Sequence, residues 1–154
     1  MKRTHRIMFV CHGNICRSPM AEFLLKDMVK KEGLADRFVI ASAGTSREEL
    51  GNPVHQGTLK KLAQDHISAA GKQAVQLTKE DYDKYDLILG MERVNVRNIL
   101  RIIGSDPQEK VHRLFDFTEQ PRDIADPWYT GDFEIAYAEI KAGCAALLKH
   151  LRRF

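Results

Sequence analysis

The stretch Ile7-Met8-Phe9-Val10-Cys11-His12-Gly13-Asn14-Ile15-Cys16-Arg17-Ser18-Pro19 decides the fold. Ile7 to Val10 is a short apolar run of strand formers that ends abruptly in a glycine-containing stretch, which predicts a buried strand meeting a loop. Ser18-Pro19 then reads as an N-cap followed by proline at the first helical position. Met20, Phe23, Leu24, Met28 and Val29 recur at helical spacing until Gly33, so a helix is expected directly after the loop.

Working outward, Arg37 to Ala41 reads as a second strand, followed by a helix from about Pro53 carrying Val54, Leu59 and Leu62 on one side. Thr78 and Asp81 stand at capping-box spacing for a short helix, and Asp86 to Gly90 forms the third strand. A helix over Arg93 to Ile103, a short fourth strand around Val111 to Phe115, a polar loop from about Asp116 to Thr130 and a last helix from about Asp132 to Leu151 complete the chain. Strands alternating with helices predict an α/β protein: a three-layer αβα sandwich with a four-stranded parallel sheet and helices on both faces. In such sheets ligands sit beyond the carboxyl ends of the strands, which is where Cys11 falls.

The 154 residues fit one domain spanning 1–154, long enough to bury roughly 70% of the unfolded surface. A formal charge of +3, with basic residues only in short pairs such as Lys30-Lys31 and Arg152-Arg153, gives no nucleic-acid footprint. No apolar run reaches the length of a membrane span. The three cysteines Cys11, Cys16 and Cys144 form an odd set with no disulfide framework, so a reducing compartment, the cytoplasm, is the expected location. Oligomeric state is open, with a monomer as the default.

Five residues separate Cys11 from Arg17, a length that lets the backbone curl into a cup before the helix. Inward-facing amides of His12, Gly13, Asn14, Ile15, Cys16 and Ser18, with the positive helix end, would hold a phosphate dianion. Arg17 adds a planar fork for two phosphate oxygens. The same field favours the thiolate of Cys11, the reactive form; Gly13 and Asn14 suit positive φ values, and the Ser18 hydroxyl is placed to donate to the thiolate regenerated when a covalent intermediate breaks down. No metal or cofactor is required. A zinc site would need two ligands beyond Cys11 and Cys16, and no paired Cys or His occurs at ligand spacing elsewhere. An ATP-binding loop is excluded because Gly13 is not followed by Gly-Lys-Ser/Thr.

Val10-Cys11-His12-Gly13-Asn14-Ile15-Cys16-Arg17-Ser18-Pro19-Met20-Ala21-Glu22 resembles the signature of the low-molecular-weight protein tyrosine phosphatases. Ser42-Ala43-Gly44-Thr45, Gln76-Leu77-Thr78, Asp86 to Leu89 with Met91, Asn95 and Asp126-Pro127-Trp128-Tyr129 follow in that family's order. The resemblance implies hydrolysis of phosphotyrosine in protein substrates, with Cys11 as nucleophile, Arg17 on the phosphate and Asp126 as general acid and then base. It implies further that Trp128 and Tyr129 wall the cleft, and that Asn14 with Ser42 supports the loop. Members acting on phosphoarginine usually carry threonine where Ile15 stands, so isoleucine favours phosphotyrosine. His12, Lys72 and Val75 depart from the common pattern. Cys16 is near enough in sequence to capture an oxidised Cys11 as a disulfide. Two rivals remain: a thiol-linked arsenate reductase, for which Cys144 is the only further cysteine, and a binding module for phosphorylated partners that does not turn them over.

Overall fold

The computed structural model describes residues 3–154. Strand β1, His5–Cys11, is buried at every position but Arg6, as expected of a central strand covered on both faces. β2 (Phe38–Gly44) pairs with it in parallel along one side, from His5 with Phe38 to Cys11 with Gly44. β3 (Leu87–Gly90) pairs in parallel along the other, and β4 (Val111–Arg113) lies beyond β3, giving the order β2-β1-β3-β4. The chain leaves β1 towards β2 and returns past it to β3, so the strand order reverses between β1 and β3. The crevice beyond the carboxyl ends of these two strands is where ligands bind in open α/β sheets.

Helix α1, Arg17–Lys31, buries Met20, Ala21, Leu24, Leu25 and Val29 against the sheet, and ends at Gly33 (φ 70°) with Lys30 and Lys31 in its last turn. On the same face lie α2 (Gln56–Gln64) and the long α6 (Phe133–Leu151), whose Ile140, Cys144, Leu147 and Leu151 repeat at helical spacing. The opposite face is covered by α4, Arg93–Ile103, whose Ile99 and Ile103 pack with Met8, Val10, Leu77 and Ile88. The short α3, Asp81–Lys84, contributes Tyr82 at the edge of that cluster. Each such aliphatic side chain withdrawn from water contributes about 1.5–3 kcal/mol, which commits the sheet to two covered faces.

Four expectations need correction. α1 begins at Arg17, so Ser18 lies inside its first turn and does not cap it; its hydroxyl is taken by the site described below. α2 begins at Gln56, because Pro53 pairs antiparallel with Gln73 in an isolated bridge and His55 supplies the cap. The fourth strand stops at Arg113, where Leu114–Phe117 turns into a 3-10 segment with Asp116 bonded back to the Arg113 amide. The polar loop contains a one-turn helix, α5 (Pro127–Thr130).

Candidate active site

Cys11 ends β1 almost fully buried, at 3% exposure. Its Sγ lies 3.0 Å from Ser18 Oγ, and the Ser18 amide points at the same sulfur from 3.5 Å. Ser18 Oγ accepts from Asn14 Nδ2 at 2.8 Å, so its one proton is left to choose between the sulfur and the Ala43 carbonyl at 3.4 Å. The shorter contact is to sulfur.

Asn14 holds the loop in shape. It adopts φ 59°, whereas Gly13, also expected there, does not leave the negative region. The Asn14 amide donates to Ser42 Oγ at 3.0 Å as well as to Ser18, and its Oδ1 accepts from the Val75 amide at 3.0 Å. Ser42 in turn donates to Glu22 Oε1 at 2.5 Å, while Lys26 bonds Glu22 Oε2 at 2.5 Å. Lys72 completes this layer: its ammonium donates to the Ser42 carbonyl at 3.0 Å and stands 3.9 Å from Glu22. Burial pulls the Lys72 ammonium below the usual lysine range, and Glu22 pushes it partly back. Lys72 therefore supplies loop support through a cation, and Val75 supplies it through backbone alone. Close approach of β2 to the loop depends on Gly44, where a Cβ would come within 2.8 Å of the His12 carbonyl.

Among the described residues, the amides of Gly13, Asn14, Ile15 and Cys16 donate to no protein acceptor. Nε of Arg17, a residue 2% exposed, is likewise buried without a partner. The other guanidinium nitrogens are engaged: Nη1 with Glu92 and, at 2.7 Å, the Ile124 carbonyl, and Nη2 with Asp126 Oδ2 at 3.2 Å. Asp126 Oδ1 accepts from the Trp128 amide at 3.0 Å, so this carboxylate caps α5 with Pro127 at the first position.

Cys11, Gly13, Ile15, Cys16, Asp126, Trp128 and Tyr129 meet at one recess of about 80 Å³. An adjoining cavity of about 480 Å³ is lined by Arg17, Glu92 and Asn98, and it shares His12, Asp126 and Tyr129 with the recess. The His12 side chain sits at the rim, 3.3 Å from Glu48. Trp128 and Tyr129 are 55% and 80% exposed, consistent with walls and not with core filling. Burial, reinforced by Cys11 and Asp126, pushes the Cys16 thiol up to about 12. All three cysteines are free; Cys144 lies on α6, with its sulfur 3.7 Å from the Ala21 carbonyl, and does not line the recess. Among the described residues no group of three or more His, Cys, Asp or Glu side chains is placed to hold a metal ion, and no helix is long and apolar enough to cross a membrane.

Cys11, Arg17, Asp126 and the loop, expected at one site, lie within reach of one another, and Arg17 also bonds Glu92 and the Ile124 carbonyl, neither of which was expected. Glu92 follows β3 by two residues, at the strand-order reversal beside β1. That topology is a usable signal for a partner to Arg17.

A parallel α/β protein with a thiol at the carboxyl end of its central strand is the class that fold and site define. Residues 6–154 match the family described as low molecular weight phosphotyrosine protein phosphatase, and the chain belongs to that family. It is 38% identical over 149 residues to low molecular weight protein-tyrosine-phosphatase YfkJ of Bacillus subtilis, covering 96% of each chain. It is 36% identical to PtpA of Staphylococcus epidermidis, covering 94% of this chain and 92% of that one. The crystal structure of YfkJ superposes with a TM-score of 0.94 over 97% of this chain and 96% of that chain. The low molecular weight protein tyrosine phosphatase of Streptococcus pyogenes, 36% identical, does so at 0.85 over 96% and 93%.

Proposed function

We propose that this chain hydrolyses phosphotyrosine in proteins through a phosphocysteine intermediate on Cys11. The observation that carries the reading is the convergence of Cys11, Asp126, Trp128 and Tyr129 on one recess, with Arg17 bonded to Asp126 at its back. The unpaired loop amides and Arg17 Nε are donors suited to the three non-bridging oxygens of a phosphoryl group. A bound phosphate competes with Asp126 for Arg17 Nη2, which frees the carboxyl to face the departing oxygen.

In the first step the Cys11 sulfur anion attacks phosphorus, an S–P bond forms and the P–O bond to the aryl group breaks. The Asp126 carboxyl proton passes to that oxygen, and a neutral phenol leaves. In the second step the Asp126 carboxylate takes a proton from water, whose oxygen attacks phosphorus. The S–P bond breaks, inorganic phosphate departs, and the Ser18 hydroxyl donates to the regenerated sulfur anion. Buried Cys11 beside the exposed Trp128 and Tyr129 suits a flat aryl ring, and Ile15 adds an apolar lining residue.

Hydrolysis of an aryl phosphate in the presence of chelator tests the reading. Wild-type protein should turn over without added metal, Cys11→Ser should be inactive, and Asp126→Ala should lose about 10²–10⁴ in kcat while still binding phosphate. Turnover persisting in Cys11→Ser would reject the mechanism. A panel of phosphotyrosine, phosphoserine and phosphoarginine peptides then fixes the substrate class, with phosphotyrosine expected to dominate.

A further inference from the structure

His55 belongs neither to the phosphate loop nor to the acid segment, yet it touches both. Its backbone amide donates to the Ile15 carbonyl at 2.8 Å, and three residues on, Thr58 Oγ1 donates to the Cys16 carbonyl at 3.1 Å. The start of α2 is thereby stapled to the loop that bears Cys11. The half-buried ring of His55 then reaches the other way. It packs edge-on with Trp128 at a centroid distance of 5.7 Å and an interplanar angle of 81°. Phe133, at the start of α6, stacks on it at 5.0 Å and 13°.

The ring is fixed by more than these two neighbours. Nδ1 of His55 accepts from the Gly57 amide at 3.0 Å, which caps α2 and leaves Nε2 to carry the proton. Phe133 is seated so tightly that a Cβ on Gly57 would fall 2.6 Å from its ring. A ring held by a hydrogen bond on one side and a stacked phenyl on the other has little freedom to turn. Trp128, by contrast, is 55% exposed and sits on a helix of one turn, so little else sets its orientation.

We propose that His55 is a positioning residue that fixes the Trp128 indole as a wall for the aryl group of the substrate, and so determines preference for aryl phosphates. The proposal rests on the function given above, because it presupposes that Trp128 borders the reacting group. It separates two contributions to binding: the phosphate is held by the loop, and the ring is held by an indole that His55 orients.

Two competitive inhibitors resolve these contributions. Inorganic phosphate uses the loop alone, whereas phenylphosphonate uses loop and wall. His55→Asn keeps an oxygen to accept from the Gly57 amide but removes the aromatic edge. It should weaken phenylphosphonate about three- to tenfold while changing the phosphate inhibition constant less than about twofold. His55→Phe, which keeps a ring and loses the cap, should retain phenylphosphonate affinity. Trp128 is the only tryptophan of the chain, so its emission reports the contact directly and should shift in His55→Asn. In a Trp128→Ala background the His55→Asn change should have no further effect on phenylphosphonate.

Equal weakening of both inhibitors would show that His55 merely braces the phosphate loop through Ile15, and would overturn the proposal. So would additive effects of His55→Asn and Trp128→Ala, a result that does not depend on His55→Phe folding. Failure of the wild-type protein to hydrolyse aryl phosphates at all would instead reject the underlying function.

Discussion

The phosphate loop and the acid segment face each other across one recess but are built on opposite principles. The side chains that hold the loop directly from behind are buried, Asn14 at 1% exposure, Ser18 at 0% and Ser42 at 1%, and they are joined through Glu22 to the partly buried Lys72. The acid segment is a single helical turn whose Trp128 and Tyr129 stand largely in solvent. Two bonds of Asp126, one to its own turn and one to Arg17, tie its carboxylate. A cradle that must keep its donors aimed throughout a reaction gains from rigidity, because preorganised dipoles need no rearrangement when charge develops. On the proposed mechanism Asp126 gives up a proton, moves and takes one back, and such a group gains from a weaker hold.

The largest test of that contrast is Asn14→Ala. It removes three hydrogen bonds, each worth roughly 0.5–1.5 kcal/mol, and leaves a residue without local side-chain bonding in a left-handed conformation that costs about 1–2 kcal/mol. Stability in urea should fall by about 4 kcal/mol, and turnover should fall at least ~10²-fold as the amides lose their aim. Asp126→Ala should lose comparable turnover but only about 2.5 kcal/mol of stability, roughly 1 for the N-cap and ~1.5 for the bond to Arg17, which keeps Glu92 and the Ile124 carbonyl as partners. Equal destabilisation by the two variants would break the distinction between a structural loop and a loosely held acid.

Lys72→Met sharpens it further, since the variant removes a cation from the layer behind the loop without touching the recess. At neutral pH it should cost roughly 1 kcal/mol, the net worth of the bond to the Ser42 carbonyl. The deficit should change with pH in a definite sense. Because burial holds the folded-state pKa of Lys72 below the ordinary 10.5, the unfolded chain binds more protons between those two values, and wild-type stability rises with pH across that window. The variant lacks this contribution, so its deficit should widen as pH climbs towards 10.5. Parallel stability profiles for the two proteins would show that Lys72 is solvated in the native state.

The same contrast explains what could be read in advance. Strand β1, the cradle and α1 form one contiguous run, and their chemistry depends on spacing between neighbours, so Cys11, Asn14 and Arg17 were legible. The alternation of strands with helical stretches likewise located α4 and α6, because burial of one face imposes helical spacing directly on sequence. Ser18 was misplaced as a helix cap because serine before proline is an ordinary capping pair, although its hydroxyl was already expected at the Cys11 sulfur; the bond from Asn14 depends on tertiary approach. The helix start at Gln56 was missed because the bridge between Pro53 and Gln73 is a contact between distant segments. Glu92 was invisible as a partner of Arg17 because 75 residues separate them, and only the strand order brings them together. Asp126 was found by resemblance; its capping of α5 and its bond to Arg17 depend on where the chain returns to the sheet.

The smallest effect is expected at Tyr129. With 80% of its surface in solvent it contributes little to the folded state, so Tyr129→Ala should change stability by no more than about 0.5 kcal/mol. It lines both the recess and the larger cavity, and on the proposed function it packs against the aryl group. KM for an aryl phosphate should therefore rise a few-fold, about what one aromatic contact contributes, with kcat nearly unchanged. Because Tyr129 follows Asp126 by three residues in the same turn, a fall in kcat would mean that the wall also orients the acid. Turnover would then depend on the segment as a unit, and the acid would be held more firmly than its two bonds suggest.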